Sequence, residues 1–153
     1  MSDFVVILPN IRSLYNVGSI FRTSDALGVS KIYLTGYTGR PDKEPKIAKT
    51  SLGAESTVPW EHIYHTHQLL NKLKGEGYTI VALELTPDSL DYRDFEVPAK
   101  LALLVGNEVK GLSKNLLKYC DATISLPMLG KKESLNVSVA FGAIGYQLLG
   151  QKH

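Results

Sequence analysis

Short runs that stay apolar without alternating constrain this chain most. Phe4-Val-Val-Ile-Leu8 and Leu101-Ala-Leu-Leu-Val105 are apolar at every position. A strand with one wet face alternates, whereas a strand covered on both faces does not. Lys31–Leu34, Thr79–Leu83 and Thr123–Leu126 read as further short strands. Amphipathic stretches separate them. Val17, Ile20, Phe21, Ser24 and Leu27 share one face of a helix predicted over Asn16–Leu27, with Gly28 as its stop. Gln68–Lys74 and Lys114–Cys120 also read as helices, Ile47–Leu52 as a short one, and Leu135–Leu149 as the last. Buried strands alternating with helices predict an α/β fold, a mainly parallel sheet with helices on both faces. Ligands of such sheets bind beyond the C-terminal strand ends. Chemistry is therefore expected in the loops after Leu8, Leu83, Val105 and Leu126.

At 153 residues the chain fits one domain, and no repeat or linker divides residues 1–153. Its formal net charge of +2 does not by itself point to nucleic acid. The placement of the charge says more. Arg40, Lys43, Lys46 and Lys49 share one loop-like stretch, and Lys110, Lys114, Lys118, Lys131 and Lys132 surround two Gly-containing loops. Either group reads as solvated surface, or as a phosphate-contacting rim if a reactive site lies beside it. The single cysteine, Cys120, excludes an intrachain disulfide and is expected to be a structural thiol in a reducing, cytoplasmic setting. Phe4–Leu8 is too short for a secretion signal, and no apolar run reaches the length of a membrane span. No membrane partner is expected.

Familiar nucleotide and metal motifs are missing. No G-x-G-x-x-G follows a strand. Gly106–Gly111 has phosphate-loop spacing, but Leu112 stands where the phosphate-binding lysine belongs. His62, His65 and His67 crowd one segment without the cysteine pair or additional ligands of the usual zinc sites, so no metal is expected.

The last predicted helix carries no charge from Leu135 to Gly150 and is apolar nearly all round. Such a helix is covered on both sides. Gly142, Ala143 and Gly145 would let another backbone approach. In a domain this small one side is expected to be a subunit interface, giving a two-fold homodimer.

Three segments carry chemistry-bearing residues. The first is Asn16-Val-Gly-Ser-Ile-Phe-Arg22, in which Arg22 points away from the apolar stripe. Alone, Arg22 reads as a surface residue pairing with Asp25. The second, Leu104-Val-Gly-Asn-Glu-Val-Lys-Gly111, follows a strand and reads alone as a glycine-bearing turn. The third runs Leu126-Pro-Met-Leu-Gly-Lys-Lys-Glu-Ser-Leu-Asn-Val-Ser-Val-Ala140, where Ser134 or Asn136 would cap the last helix. In this order and spacing the three segments resemble the SpoU–TrmH branch of the SPOUT methyltransferases. Lys49-Thr-Ser-Leu-Gly-Ala-Glu55 is similar to another segment of these enzymes.

The resemblance, which covers essentially the whole chain, implies a minimal catalytic domain whose sheet ends in a C-terminal deep trefoil knot. It implies S-adenosylmethionine bound bent in that knot. Leu83, Gly106, Leu126, Met128, Ser134 and Leu135 would form its binding site. It implies an obligate dimer and transfer of methyl to a ribose 2′-hydroxyl of structured RNA. Among RNAs, tRNA, in the D-loop or at the anticodon wobble position, suits a small enzyme that reads shape and single-stranded loops, with rRNA the alternative. The catalytic residues would be Arg22, Asn16, Glu108, Asn136 and Ser134. A guanidinium stays protonated, so Arg22 is assigned as a phosphate clamp and alkoxide stabiliser, not a base. Asn16 would orient Arg22 or the ribose. Glu108 would fix the knot loops or pair with a basic neighbour, and Asn136 would hold the active-site loop. A non-catalytic RNA-binding protein on this scaffold and a base methyltransferase of the same fold remain the alternatives.

Overall fold

The computed structural model describes residues 3–151. Seven strands form one sheet: β1 (Asp3–Pro9), β2 (Lys31–Thr35), β3 (Trp60–Ile63), β4 (Thr79–Leu83), β5 (Leu90–Asp91), β6 (Lys100–Val105) and β7 (Ala122–Ser125). Their order is β3-β2-β1-β6-β4-β7-β5. Every pairing is parallel, including β1 with β6 and β4 with β7. The helices are α1 (Leu14–Leu27), α2 (Ala48–Ser51), α3 (Thr66–Gly75), α4 (Lys114–Lys118) and α5 (Val137–Gly150).

The unbroken apolar runs have their expected cause. Phe4, Val6 and Leu8 of β1 pack with Val17, Ile20 and Phe21 of α1 and Phe141, Ile144 and Leu148 of α5. Val5 and Ile7 point the other way, onto Leu69, Leu70 and Leu73 of α3 and Leu116 and Leu117 of α4. Side chains alternate across a strand, so burying both sets requires helices on both faces.

Several boundaries differ from the sequence expectation, each for a local reason. Helix α1 begins at Leu14, not Asn16, because Ser13 caps it, its Oγ accepting from Asn16 N at 3.1 Å. Helix α5 begins at Val137, not Leu135, because Asn136 is the cap and accepts from the amides of Ser138 and Val139. The helix expected over Ile47–Leu52 is a 3-10 turn at Pro45–Ile47 followed by α2, and Leu52 ends it in the left-handed region at φ 51°. Two strands escaped the sequence reading. Strand β3 is a half-buried edge carrying Glu61 and His62, and β5 has two residues.

Gly145 of α5 packs closely against the same chain. A Cβ on Gly145 would lie 2.5 Å from Leu27 Cδ1, and one on Gly142 would lie 3.6 Å from Thr23 Cγ2. The close approach at Gly145 is therefore to α1 of the same chain, whereas Gly142 stands at ordinary contact distance from it. Val139 and Tyr146 of α5 remain 56% and 54% exposed. Among the described residues, no helix is long and apolar enough to cross a membrane.

Candidate active site

After β3 the chain crosses the sheet, so β4 lies beyond β6 and next to β7. The order of strands reverses here, where α/β sheets open a crevice at their carboxyl ends. A cleft of about 380 Å³ occupies that place, within the range of small-molecule sites. Its floor comes from three strand ends: Leu83–Leu85 after β4, Val105–Glu108 after β6, and Ser125, Leu126 and Met128 after β7. Glu133–Val137, with Ala140 of α5, and Asn16 of α1 close it.

All six residues assigned to the cofactor, Leu83, Gly106, Leu126, Met128, Ser134 and Leu135, stand in this wall. Four of them supply apolar side chains, suited to a flat heterocycle, and Ser134 brings a hydroxyl. Of the residues assigned to catalysis, Asn16, Glu108, Ser134 and Asn136 also line the cleft, and Arg22 does not. Arg22 is exposed on α1, six positions beyond Asn16 and so about 9 Å further along the helix axis. Its guanidinium has no hydrogen-bond or ion-pair partner among the described residues. Asp25, its expected partner, instead accepts from Thr57 Oγ1 at 2.9 Å.

Three cleft residues form one chain of hydrogen bonds. The Glu108 carboxylate accepts from the backbone amides of Arg12 at 3.2 Å and Ser13 at 3.1 Å, and from Asn16 Nδ2 at 3.4 Å. Asn16, 5% exposed, accepts in turn from Asn136 Nδ2 at 3.4 Å. Asn136 Oδ1 receives the Ser138 amide at 2.9 Å and the Ser138 hydroxyl at 2.6 Å. The network ties the turn after β6 to the starts of α1 and α5. Glu108 thus has backbone amides where a basic side chain was an expected alternative. Asn16 holds two loops rather than Arg22. Burial raises the Glu108 carboxyl pKa, while its own amide, those of Ser13 and Arg12, and Asn16 together lower it further, leaving it below its ordinary value.

The turn after β6 is shaped by a residue the sequence reading missed. Glu84 Oε2 accepts from Leu112 N at 2.8 Å and lies against Gly111. Gly111 has φ +65°, and a Cβ there would sit 2.4 Å from that oxygen. Gly106 backs onto Gly111, with a Cβ only 3.0 Å from its backbone. Asn107 closes the turn by exchanging backbone bonds with Gly111 at 3.3 and 3.0 Å, and its side chain accepts from Val109 N and Lys110 N at 2.9 Å each. Glu84 and Asn107 each sit one or two positions beyond an apolar strand. That position was the available signal for them.

The basic residues flank the cleft without filling it. Lys110 stands in the turn after Glu108, and Lys131 and Lys132 immediately precede the wall segment at Glu133; all three are exposed. Arg40 is engaged elsewhere, paired with Asp42 at 2.9 Å. The histidines make local contacts. His62 Nε2 meets Gly36 O at 3.0 Å, and His67 stacks on Tyr119.

The class of protein so defined is a parallel α/β domain with a small-molecule cleft at its topological switch, braced by a carboxylate–amide network. The SpoU rRNA Methylase family profile matches residues 3–146, and the chain belongs to that family. It is 34% identical over 151 residues to the tRNA (guanosine(18)-2′-O)-methyltransferase of Aquifex aeolicus, covering 98% of this chain and 70% of that one. The AdoMet-bound rRNA methyltransferase of Sinorhizobium meliloti superposes with a TM-score of 0.90 at 29% identity, over 97% of this chain and 56% of that one. The SpoU methyltransferase AviRb of Streptomyces viridochromogenes, in complex with AdoMet, gives 0.90 at 29% identity, over 99% and 61%. This chain spans less than two thirds of both solved structures, and 59% of a further curated relative of similar identity.

Proposed function

We propose that this protein transfers a methyl group from S-adenosylmethionine to a ribose 2′-hydroxyl of RNA. The observation that carries the reading is the convergence of three distant segments on one cleft. Apolar walls for an adenine, the Ser134 hydroxyl and the braced Asn16–Glu108 pair meet at the carboxyl ends of β4, β6 and β7. A relative named for tRNA methylation and two structures solved with AdoMet, one of them named for rRNA methylation, support it. The crossing of β4 past β6 to reach β7 supports the trefoil knot as part of the same reading.

Leu83, Leu126, Met128 and Leu135 would hold the adenine, with Gly106 keeping the β6 turn close and Ser134 positioned for a ribose hydroxyl. When bound, the cofactor supplies a methyl group already activated on a sulfonium. The protein must place one hydroxyl in line and accommodate the charge that develops on it. Glu108 fixes the start of α1 and keeps Asn16 facing the cleft, and Asn136 fixes the start of α5 against it. Arg22 remains cationic. Because it stands outside its own cleft, we assign it to an RNA phosphate beside the reacting ribose. There it offsets the charge of the forming alkoxide, whose proton leaves to phosphate or water.

Within this reading tRNA is the favoured RNA, since a relative covered over 70% of its length is named for tRNA methylation and structured RNA is read through its shape and single-stranded loops. The homodimer belongs to the proposal too. Val139 and Tyr146 of α5 and Tyr15 of α1 are exposed on helices that are packed together. Sedimentation at micromolar concentration should give a dimer, and monomer alone would refute that part. The reaction is tested by incubating the protein with labelled S-adenosylmethionine and unmodified tRNA or rRNA, then digesting to nucleosides. Label on a 2′-O-methylated ribose supports the proposal. Label on a base would retain the fold and overturn the reaction.

A further inference from the structure

A second, smaller cleft lies on the other side of the turn after β6. It holds about 200 Å³ and is lined by Pro9, Asn10, Tyr37, Asn107, Lys110 and the start of α4. That is below the range of sites for whole small molecules, so it suits one part of a larger ligand. Asn107 lines both clefts. A ligand extending from the first cleft across the β6 turn therefore enters the second.

We propose that this cleft is a nucleobase subsite, in which Tyr37 stacks on a base next to the methylated ribose and Lys110 meets the adjoining phosphate. The proposal rests on RNA being the substrate. Its chemistry is read from three features. The Tyr37 side chain stands out from the surface, the residue being 59% exposed, yet its position is fixed from both ends. Its backbone amide donates to Asn10 Oδ1 at 3.1 Å, and its hydroxyl accepts from Asn107 Nδ2 at 3.0 Å. An aromatic ring already held in place stacks at little entropic cost. Lys110 is exposed, and its ammonium has no hydrogen-bond or ion-pair partner among the described residues. It thus offers a free cation at the rim.

The backbone conformation at Asn10 is the third feature. Asn10 is one of two non-glycine residues with positive φ among those described, at 53°. It is held there by its amide donating to Thr35 O at 3.1 Å and its carbonyl accepting from Asn107 Nδ2 at 2.7 Å. Left-handed backbone is disfavoured for residues with a Cβ, and it persists where surroundings over-determine it. Here it directs the Asn10 side chain to the Tyr37 amide and the Asn10 carbonyl to Asn107. The strained residue thus builds the wall carrying the ring. Beyond it, Tyr64 O accepts from Gly36 N at 3.0 Å, and Tyr64, 68% exposed, lies edge-on to His65.

The test measures RNA binding and methyl transfer separately. Fluorescently labelled, unmodified tRNA and rRNA fragments are titrated with wild type, Tyr37→Ala, Tyr37→Phe and Lys110→Ala, and S-adenosylmethionine is titrated into each by calorimetry. Tyr37→Ala should bind RNA about 5- to 100-fold more weakly. Tyr37→Phe should stay within about threefold of wild type, because it keeps the ring. Lys110→Ala should reduce the salt slope of binding by about 0.7, one single-strand phosphate contact. Cofactor affinity should be unchanged in all three. If wild type transfers methyl and Tyr37→Ala and Lys110→Ala bind and react as it does, the subsite falls and the methyltransferase reading stands. If RNA binding depends on Tyr37 but no methyl is transferred, the subsite stands and the methyl-transfer reading falls. Absence of RNA binding by wild type overturns both.

Discussion

Glu108→Ala removes the one acceptor that three donors share. The amides of Arg12 and Ser13 lie near solvent and regain water, so each loses about 0.5–1.5 kcal/mol. Asn16 Nδ2 fares worse. Its residue is 5% exposed, and a buried donor left without an acceptor costs about 1–3 kcal/mol. Glu108 itself is only partly buried, so charge-assisted strengthening is discounted for screening. The expected loss is about 2–6 kcal/mol, a large share of a stability of about 5–15 kcal/mol. Urea unfolding followed by circular dichroism measures it, with protomer concentration held fixed because a dimer couples stability to concentration. Asn16→Ala in the Glu108→Ala background should add less than it does alone, by about 1 kcal/mol. The pH dependence follows from the sign of the Glu108 shift. Its folded pKa is lowered, so its contribution is fully present above the unfolded range, about pH 4.3, and is lost as pH falls through the folded value. The gap between wild type and Glu108→Ala should therefore close in acid. A loss below about 0.5 kcal/mol, or strict additivity with Asn16→Ala, would refute the network.

Two further outcomes are expected. Gly111→Ala places a Cβ 2.4 Å from Glu84 Oε2 at φ +65° and should lower stability by about 2–4 kcal/mol, through backbone strain and loss of the Glu84–Leu112 bond. Weaker cofactor binding should accompany it, and an unchanged melting temperature would show that the turn tolerates a side chain. Burial pushes the Cys120 thiol up to about 11, so at pH 8 its native alkylation should be slower than in urea by on the order of a hundredfold. Equal rates in the native and unfolded protein would show the thiol to be free.

What the sequence disclosed depended on burial. Strands β1 and β6 were legible because both faces are covered, which leaves no polar position in Phe4–Leu8 or Leu101–Val105. Strand β3 was not, because a half-exposed edge tolerates Glu61 and His62 and breaks the pattern. Gly145 announced close packing but not its partner, and at that position α1 of the same chain supplies it. The cleft residues are scattered from Asn16 to Ala140. Spacing along the chain does not tell which strand ends are neighbours, since that follows from β4 crossing beyond β6. Motif resemblance brought Asn16, Glu108 and Asn136 together. Their actual partners, the amides of Arg12, Ser13, Ser138 and Val139, the Ser138 hydroxyl and each other, needed coordinates. Glu84 stayed hidden because a lone acid after a strand reads as solvated surface, and its role exists only against Gly111.

The most direct test compares methyl transfer by wild type and Arg22→Ala on unmodified tRNA and rRNA, with S-adenosylmethionine affinity measured on the same preparations. Arg22 stands outside the cleft that would hold the cofactor. The account therefore predicts that Arg22→Ala binds the cofactor as wild type does and transfers no methyl to the ribose. Loss of cofactor binding in a folded Arg22→Ala protein, or undiminished transfer, would contradict it.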